Sequence, residues 1–519
     1  MMNFIQSVPW WIYALAALAL IAVKDIFFNR RHAIKHNFPV VGHLRYYLEK
    51  IGPELRQYIV SNNREELPFN RSQRSWVYAS SKKENNYQGF GTDQDQHAPG
   101  FVFINPALFS YAVKPTHPNH KDPNFLPCAK VMGLYNKRRK PFRPYSILNI
   151  SAMSYGSLSA KAVESMNKGA LKAGCYHNTG EGGLATHHLH GADVMLQFGT
   201  GYFGVRDDNG NFSMEKLKKV VEKNPVIRCI EIKLSQGAKP GKGGVLPAAK
   251  VTQEIADIRH IPVGQDALSP AFHSSFSNVA ELLNFIESIA EETGLPVGFK
   301  SAVGKLEMWE ELADLMVSTG KGPDFIAIDG GEGGTGAAPP AFADHVSLPF
   351  VYAFAKVYQV FAHRGLTDRI VFIASGKLGF PANALMAFSM GADIIHAARE
   401  AMMSIGCIQA QVCHTNRCPA GVATQSKWLQ NGIDVPLKSD RFYNYAKNFR
   451  KEVLEITHAC GYEHPCQMGM SDINVSMGDN NQTSTLRVNY NYDKVPVSFK
   501  GMESLIQCEY LGGPGPRKN

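Results

Sequence analysis

Hydrophobic and polar positions fall into three regimes along the 519-residue chain. The first is an uncharged apolar run, VPWWIYALAALALIAV, from Val8 to Val23, followed by KDIFFNRRH. At 1.5 Å per residue its sixteen residues cover about 24 Å, and continuation to Phe28 with Lys24 snorkelling reaches the roughly 30 Å of a hydrocarbon core. Trp10, Trp11 and Tyr13 suit one interface, and Arg30, Arg31 and Lys35 suit the cytoplasmic side. Neither positive charge before the run nor a small-residue cleavage site after it marks a signal peptide. The pattern predicts an uncleaved transmembrane helix in the cell (inner) membrane, single-pass, with the remainder in the cytoplasm.

The second regime, residues 31–145, mixes Pro, Asn, Tyr and charge. It offers one amphipathic helix, LRYYLEKIGPELRQYI, interrupted at Pro53. After PFRP the third regime begins, in which short β-rich runs alternate with helical stretches. Strands are predicted at 147–153, 175–180, near 199–205, 227–234, 297–303, 324–330, 369–376 and 393–399. Between them, GKLEMWEELADLMVSTG puts Leu306, Trp309, Leu312, Ala313 and Met316 on one helical face and stops at Gly320. Parallel βα units in that number predict an α/β fold, a (β/α)8 TIM-type barrel over 146–430. Around it lie a membrane anchor at 1–30 and short extensions at 31–145 and 431–519. A doubly wound sheet would gather its glycines after the first strand instead of spreading them over many.

In such a barrel the strand C-terminal ends form the active face. Here they read SAMSYGS, NTGEGG, KLSQGAKPGKGG, FKSAVG, DGGEGGTGA and ASGKLG. One glycine loop is ordinary, but six on one face predict a phosphate-bearing ligand across the mouth. Apolar content of 44% and charged content of 19% exclude wholesale disorder. The net charge of +9 is mild, and NKRRKPFRPY, the densest basic stretch, stands beside no nucleic-acid motif and reads as a solvated linker. Nine cysteines are too few for a disulfide framework. Three of them, Cys407, Cys413 and Cys418, are packed into GCIQAQVCHTNRCPAGVATQ. Soft thiolates at that spacing suit an iron–sulfur cluster or zinc, the latter wanting a fourth ligand such as His414. Cys460 and Cys466 read as structural, and His187, His188 and His190 as surface residues of a polar loop.

Taken together, ISAMSYGSLS, NTGEGG, EIKLSQGAKPGKGG, DGGEGGTGAAP and GCIQAQVCHTNRCPAGVATQ resemble the FMN-binding synthase domain of glutamate synthases, particularly its stand-alone members. The resemblance covers about residues 145–430 in the family's order. It implies FMN at the mouth and a [3Fe-4S] cluster on Cys407, Cys413 and Cys418. Ala152, Met153 and Ser154 match the segment beside the flavin ring, and Lys300 matches a lysine near flavin N1 and O2. Asp329, Gly330, Gly331 and Gly334 match the glycine loop at the flavin. Ser375, Gly376 and Lys377 occupy the position of a phosphate loop. Glu181 matches a substrate-side carboxylate, and Lys233, Gln236 and Lys239 match the region that binds FMN and 2-oxoglutarate.

The departures are equally specific. The opening MMNFIQ lacks the N-terminal cysteine nucleophile of a glutaminase domain, so ammonia is expected from solution or a separate protein. Large family members read GFGT where this chain has His396, Ala397, Ala398 and Arg399, and Arg399 can replace lost backbone contacts with a guanidinium. The activity implied is FMN-dependent reduction of a 2-iminoglutarate-type imine, built from 2-oxoglutarate and ammonia, to an amino acid such as glutamate. Electrons would come from a ferredoxin or a partner reductase subunit. Two other readings stay open: an amino- or methylamino-group transferase subunit acting on glutamate, and a membrane-bound electron-transfer module.

Overall fold

The computed structural model describes residues 9–28, 33–113, 126–478 and 482–492. Packing divides the chain into residues 1–75 and 76–519.

In the first unit, Trp10–Phe27 is one uninterrupted 18-residue helix, long and apolar enough to cross a membrane by length and composition. Arg30 and Arg31, expected at its cytoplasmic end, lie outside the described residues. Asp25 is buried, accepting hydrogen bonds from Val40 N (3.1 Å) and lying 2.8 Å from His43 Nε2. Pro53 does not interrupt its helix as expected. Gly42–Leu55 runs through it and continues as a wider turn, Arg56–Val60, closed by Ser61 N on the Arg56 carbonyl at 2.8 Å.

The second unit is built on eight parallel strands that close into a barrel. They are β1 Leu148–Ile150, β2 His177–Asn178, β3 Val194–Phe198 and β4 Ile227–Lys233, then β5 Val297–Ser301, β6 Phe325–Asp329, β7 Val371–Ser375 and β8 Ile394–Ala397. β8 pairs with β1, with Ile395 opposite Leu148, and completes the ring. Seven strands fall where the alternation places them. The third does not: it is Val194–Phe198, upstream of the expected GTGYFGV. VMLQF is buried on both faces and shows no alternation, whereas the aromatic-rich GTGYFGV is a turn with Tyr202 at φ 47°.

Among the described residues, the longer helices that flank the barrel or cap its loops are α1 Ala160–Ala173, α2 Met214–Lys223, α3 Gln253–Arg259, α4 Val279–Thr293, α5 Glu307–Thr319, α6 Pro340–His345, α7 Phe350–Ala362, α8 Pro381–Ser389, α9 Arg399–Ser404 and α10 Val435–Ala459. Local chemistry sets their ends. Ser159 caps α1 through Ala162 N, Asn278 caps α4 through Glu281 N, and Asp434 caps α10 through Leu437 N. α5 buries Trp309, Leu312, Ala313 and Met316 and stops at Gly320, as its pattern requires; Leu306 is its N-cap. Between β2 and β3 only a single turn, Thr186–His188, replaces a crossover helix. α10 packs along α1 and against α8 and α9, over the seam where β8 meets β1. Its approach is so close that a Cβ on Gly169 of α1 would lie 2.7 Å from the Ser439 carbonyl.

The basic stretch is not a solvated linker. Arg138 is buried, its guanidinium paired with Glu287 at 2.7 Å and Asp324 at 3.0 Å, and Arg143 Nε donates to the Cys128 carbonyl at 2.8 Å. Cys128, Met132 and Phe142 join Tyr176, Met195 and Phe325 in one apolar cluster. Aromatic and thiol side chains around the arginines plug the barrel, and the buried Asp324 with the partly covered Glu287 fix the guanidinium. Three antiparallel strands, Val102–Ile104, Ile473–Ser476 and Thr483–Thr485, lie apart from the barrel.

Candidate active site

Parallel strands bring their C-terminal residues to one rim. Lys300 on β5 and Asp329 at the end of β6 meet there, Nζ to Oδ2 at 3.3 Å, both nearly inaccessible to water. Asp329 also accepts from Ser375 Oγ at 2.7 Å and from Gly237 N at 2.9 Å. Burial alone would raise the Asp329 pKa, but Lys300 and these donors outweigh it and hold the carboxyl below its usual range. Burial likewise works against the Lys300 cation, and Asp329 and Glu231 overcome it, so its pKa rises. Beneath them Glu231 is fully buried, accepts from Asn178 Nδ2 at 2.8 Å, and finds no partner for Oε1 among the described residues. Burial pushes its pKa up.

A second cluster stands beside this pair. Lys233, the last residue of β4, donates to Glu181 Oε1 at 2.7 Å and to Gln236 Oε1 at 2.6 Å. Burial would raise the Glu181 pKa, but Lys233 first, then Arg259 and Lys239, bring it below the ordinary carboxylate value. Lys239, also buried, donates to the Ala337 carbonyl at 2.8 Å, and burial followed by the like charge of Lys233 lowers its pKa. The four residues expected to act on substrate are therefore brought together. The glycines explain how: a Cβ on Gly199 would lie 2.6 Å from Glu181 Oε2, and one on Gly244 would lie 2.7 Å from Oε1. Gly237 brings the loop after β4 against β6, where a Cβ would stand 1.8 Å from the Gly330 carbonyl oxygen.

The expected flavin-side segment, Ala152, Met153 and Ser154, follows β1 and faces the loop after β2. Gly180, at φ 67°, would place a Cβ 2.6 Å from Ser154 N. On the opposite side Gly330 N donates to the Ser375 carbonyl, and Gly331 N to that of Leu348, both at 2.8 Å. Gly376 (φ 142°) and Lys377 (φ 57°) turn the chain after β7. Burial, then the neighbouring Arg399 charge, lowers the Lys377 pKa. Arg399 starts α9 and donates to the Glu332 carbonyl, and a Cβ on Gly334 would touch its Cδ at 2.7 Å. Two cations and a glycine-lined turn therefore share one side of the mouth.

Cys407, Cys413 and Cys418 are free thiols near one another: burial, then the other two cysteines, raises the Cys407 pKa, to about 12. Their loop is held from three sides. Tyr78 Oη donates to the Cys407 carbonyl at 2.9 Å, and Asn416 Nδ2 to that of Ala249 at 2.8 Å. Gln425 Nε2 reaches the Leu158 carbonyl at 2.8 Å and that of Gly156 at 3.0 Å, in the loop after β1. Among the described residues no group of three His, Cys, Asp or Glu is placed to grip a single metal ion.

Some of the expectations shift. His188 is not a surface residue but fully buried, stacked edge-on to His177, with its pKa pushed to about 3 by burial. His187 is partly covered and lies 3.1 Å from Glu254. Two basic residues carry no sequence signal yet sit at the site. Arg259 is buried behind Glu181 and donates to the Tyr155 carbonyl at 3.1 Å, its pKa pushed down to about 10 by burial. Lys250 is buried beside the cysteine loop, its pKa pushed down to about 8 by burial. A charge destined for the interior looks like any surface charge in a sequence.

Residues 114–463 match the family model described as the conserved region in glutamate synthase. The chain is 41% identical over 468 residues to the glutamate synthase large subunit-like protein YerD of Bacillus subtilis, covering 84% of this chain and 88% of that one. It is 36% identical over 315 residues to the archaeal-type glutamate synthase (NADPH) of Thermotoga maritima, covering 60% of this chain and 58% of that enzyme. With the archaeal glutamate synthase (NADPH) of Methanocaldococcus jannaschii it shares 37% over 314 residues, again 60% and 58%. The chain thus spans less than two thirds of the latter two enzymes.

Proposed function

Because the chain belongs to the glutamate synthase family, we propose that this oxidoreductase reduces a 2-iminoglutarate-type imine, formed from 2-oxoglutarate and ammonia, to glutamate. One observation carries the reading: Glu181, Lys233, Gln236 and Lys239 meet at the mouth beside the buried Lys300–Asp329 pair. Lys233 commits two of its three N–H donors and Lys239 one, which leaves donors for the carboxylates of a dicarboxylic acid. The Glu181 carboxylate, kept ionised by its neighbours, offers a counter-charge to a protonated imine. The loop from Gln236 to Lys239, drawn across to Gly330 and Ala337, covers the reacting centre and keeps out water that would hydrolyse the imine.

The residues fit FMN. Lys377, Arg399 and the turn at Gly376 suit a phosphate, the glycines of 330–334 leave room for close approach, and Lys300 suits the pyrimidine side of an isoalloxazine. Bound FMN would supply hydride transfer. The cysteine loop fits a [3Fe-4S] cluster. Each thiolate of such a cluster binds a different iron, so its three cysteines stand apart, unlike the ligands of one ion. Cys407, Cys413 and Cys418 would hold it, and the cluster would supply a one-electron entry from a ferredoxin or reductase subunit. The helix Trp10–Phe27 would anchor the protein to the cell membrane, with the barrel in the cytoplasm.

The test is an absorption and low-temperature EPR study of anaerobically purified protein, with the released flavin identified. Turnover with 2-oxoglutarate, ammonium and a reduced dye follows. FMN, an oxidised three-iron signal and glutamate formation support the reading. A protein that binds FMN but forms no amino acid from any 2-oxo acid and ammonium removes the imine reductase.

A further inference from the structure

Lys250 closes a short turn, Ala248–Lys250, between β4 and α3, and is 3% exposed. Its ammonium donates to the Ser157 carbonyl at 2.9 Å, and among the described residues no carboxylate pairs with it. The ionisable groups near enough to favour its charged form are Cys413 and Cys418, once they are thiolates. A cation this deep and this poorly compensated is unfavourable unless an anion joins it. Three neutral thiols supply no charge. Three thiolates on an iron–sulfur core do, and their net negative charge grows when the core takes up an electron.

The surroundings fix Lys250 at that spot. Ala249, its neighbour, accepts from Asn416 in the cysteine loop at 2.8 Å. Ser157, whose carbonyl it holds, lies between Gly156 and Leu158, both bonded by Gln425 from the same loop. Ser157 Oγ in turn accepts from Ser154 Oγ at 3.1 Å, in the segment expected beside the flavin. The lysine therefore occupies the junction of the cysteine loop and the loop after β1.

We propose that Lys250 is a fixed counter-charge to the iron–sulfur cluster held by Cys407, Cys413 and Cys418, and that its cation favours the reduced cluster. The proposal rests on the cluster reading above. The step is uptake of one electron by the oxidised cluster from an external reductant, with no bond broken and no proton moved. Lys250 acts on it through space alone, and solvent ions screen a charge this deeply buried only weakly.

The experiment is an EPR-monitored redox titration of the full chain, wild type against Lys250→Gln and Lys250→Arg, with iron and sulfide counted in each. Gln keeps a donor for the Ser157 carbonyl and removes the charge; Arg keeps the charge. The expected result is an equilibrium constant for reduction about tenfold smaller in Lys250→Gln, a midpoint about 59 mV lower for one electron, and little change in Lys250→Arg. An unchanged midpoint in a cluster-loaded Lys250→Gln overturns the proposal, as does an equal fall in both variants. Iron uptake lost in Lys250→Gln and kept in Lys250→Arg supports the counter-charge at the stage of assembly; loss in both assigns the lysine to packing and overturns it. A wild type without iron and sulfide refutes the cluster reading itself, a separate result.

Discussion

Replacing Asp329 by Asn keeps the size and most of the hydrogen bonding of the side chain but removes its charge. Lys300 then keeps a buried ammonium with its salt-bridge partner gone. Removing one member of a buried pair costs about 3–5 kcal/mol, and the retained Ser375 and Gly237 bonds place Asp329→Asn near the lower end, about 3 kcal/mol. Lys300→Met should cost a similar amount by stranding the carboxylate. The double variant strands neither member of this pair, so it should lie at least about 2 kcal/mol above the sum of the singles. The pH dependence follows from the directions of the two shifts. Asp329 is depressed, so its contribution is complete above the unfolded value of about 3.9 and is lost as pH falls through the lower folded one. Lys300 is raised, so its contribution is complete below about 10.4 and is lost as pH rises through the higher folded value. The intact pair should therefore add no pH dependence to wild-type stability from pH 5.5 to 8.5. Equilibrium denaturation of flavin-free protein at three pH values measures it. Additive single variants would refute the claim that these two side chains exist as a coupled ion pair.

Other outcomes test the remaining geometry. Gly199→Ala places a methyl group against Glu181 Oε2 and should lower glutamate formation at least tenfold while far-UV circular dichroism and the bound flavin stay unchanged. Arg138→Met strands Asp324 and Glu287 and should cost about 3 kcal/mol in denaturant unfolding, with FMN content per folded molecule unaffected. Cys418→Ser should abolish the three-iron EPR signal and most bound iron while leaving FMN in place. Deletion of residues 1–28 should move the protein from the membrane fraction to the soluble fraction of a lysate, and an unchanged distribution would remove the anchor.

The barrel was legible because β-rich runs and helical faces alternate with regular spacing; β5 through β8 are each found within two residues of the expected starts. β3 was not, since VMLQF contains one β-branched residue and lies buried on both sides, which erases the two-residue rhythm. The continuity past Pro53 was hidden because proline's lost donor and ring clash argue for a break that the surrounding helix overrides. At the site, glycines and lysines next to strand ends were visible as motifs, and Glu181, Lys233, Gln236 and Lys239 do converge. Arg259 and Lys250 were not visible, because they come from the insertion after β4 and reach the site through folding of that insertion. The burial of His188 shows the same limit in reverse: it lies in a polar tract, yet its ring packs on His177 from β2.

The seam between β8 and β1 shapes how this protein must be made. β1 emerges from the ribosome roughly 250 residues before the strand that completes its pairing, and α10, which covers the join, follows later still. At about 5–20 residues per second, synthesis from β1 to the end of α10 takes on the order of 15–60 s. Throughout that interval the nascent chain carries open strand edges and an uncovered apolar face on α1, both invitations to aggregation. Chaperone attendance during translation, and intolerance of truncation anywhere before Ala459, should follow from where the closing helix lies in the gene.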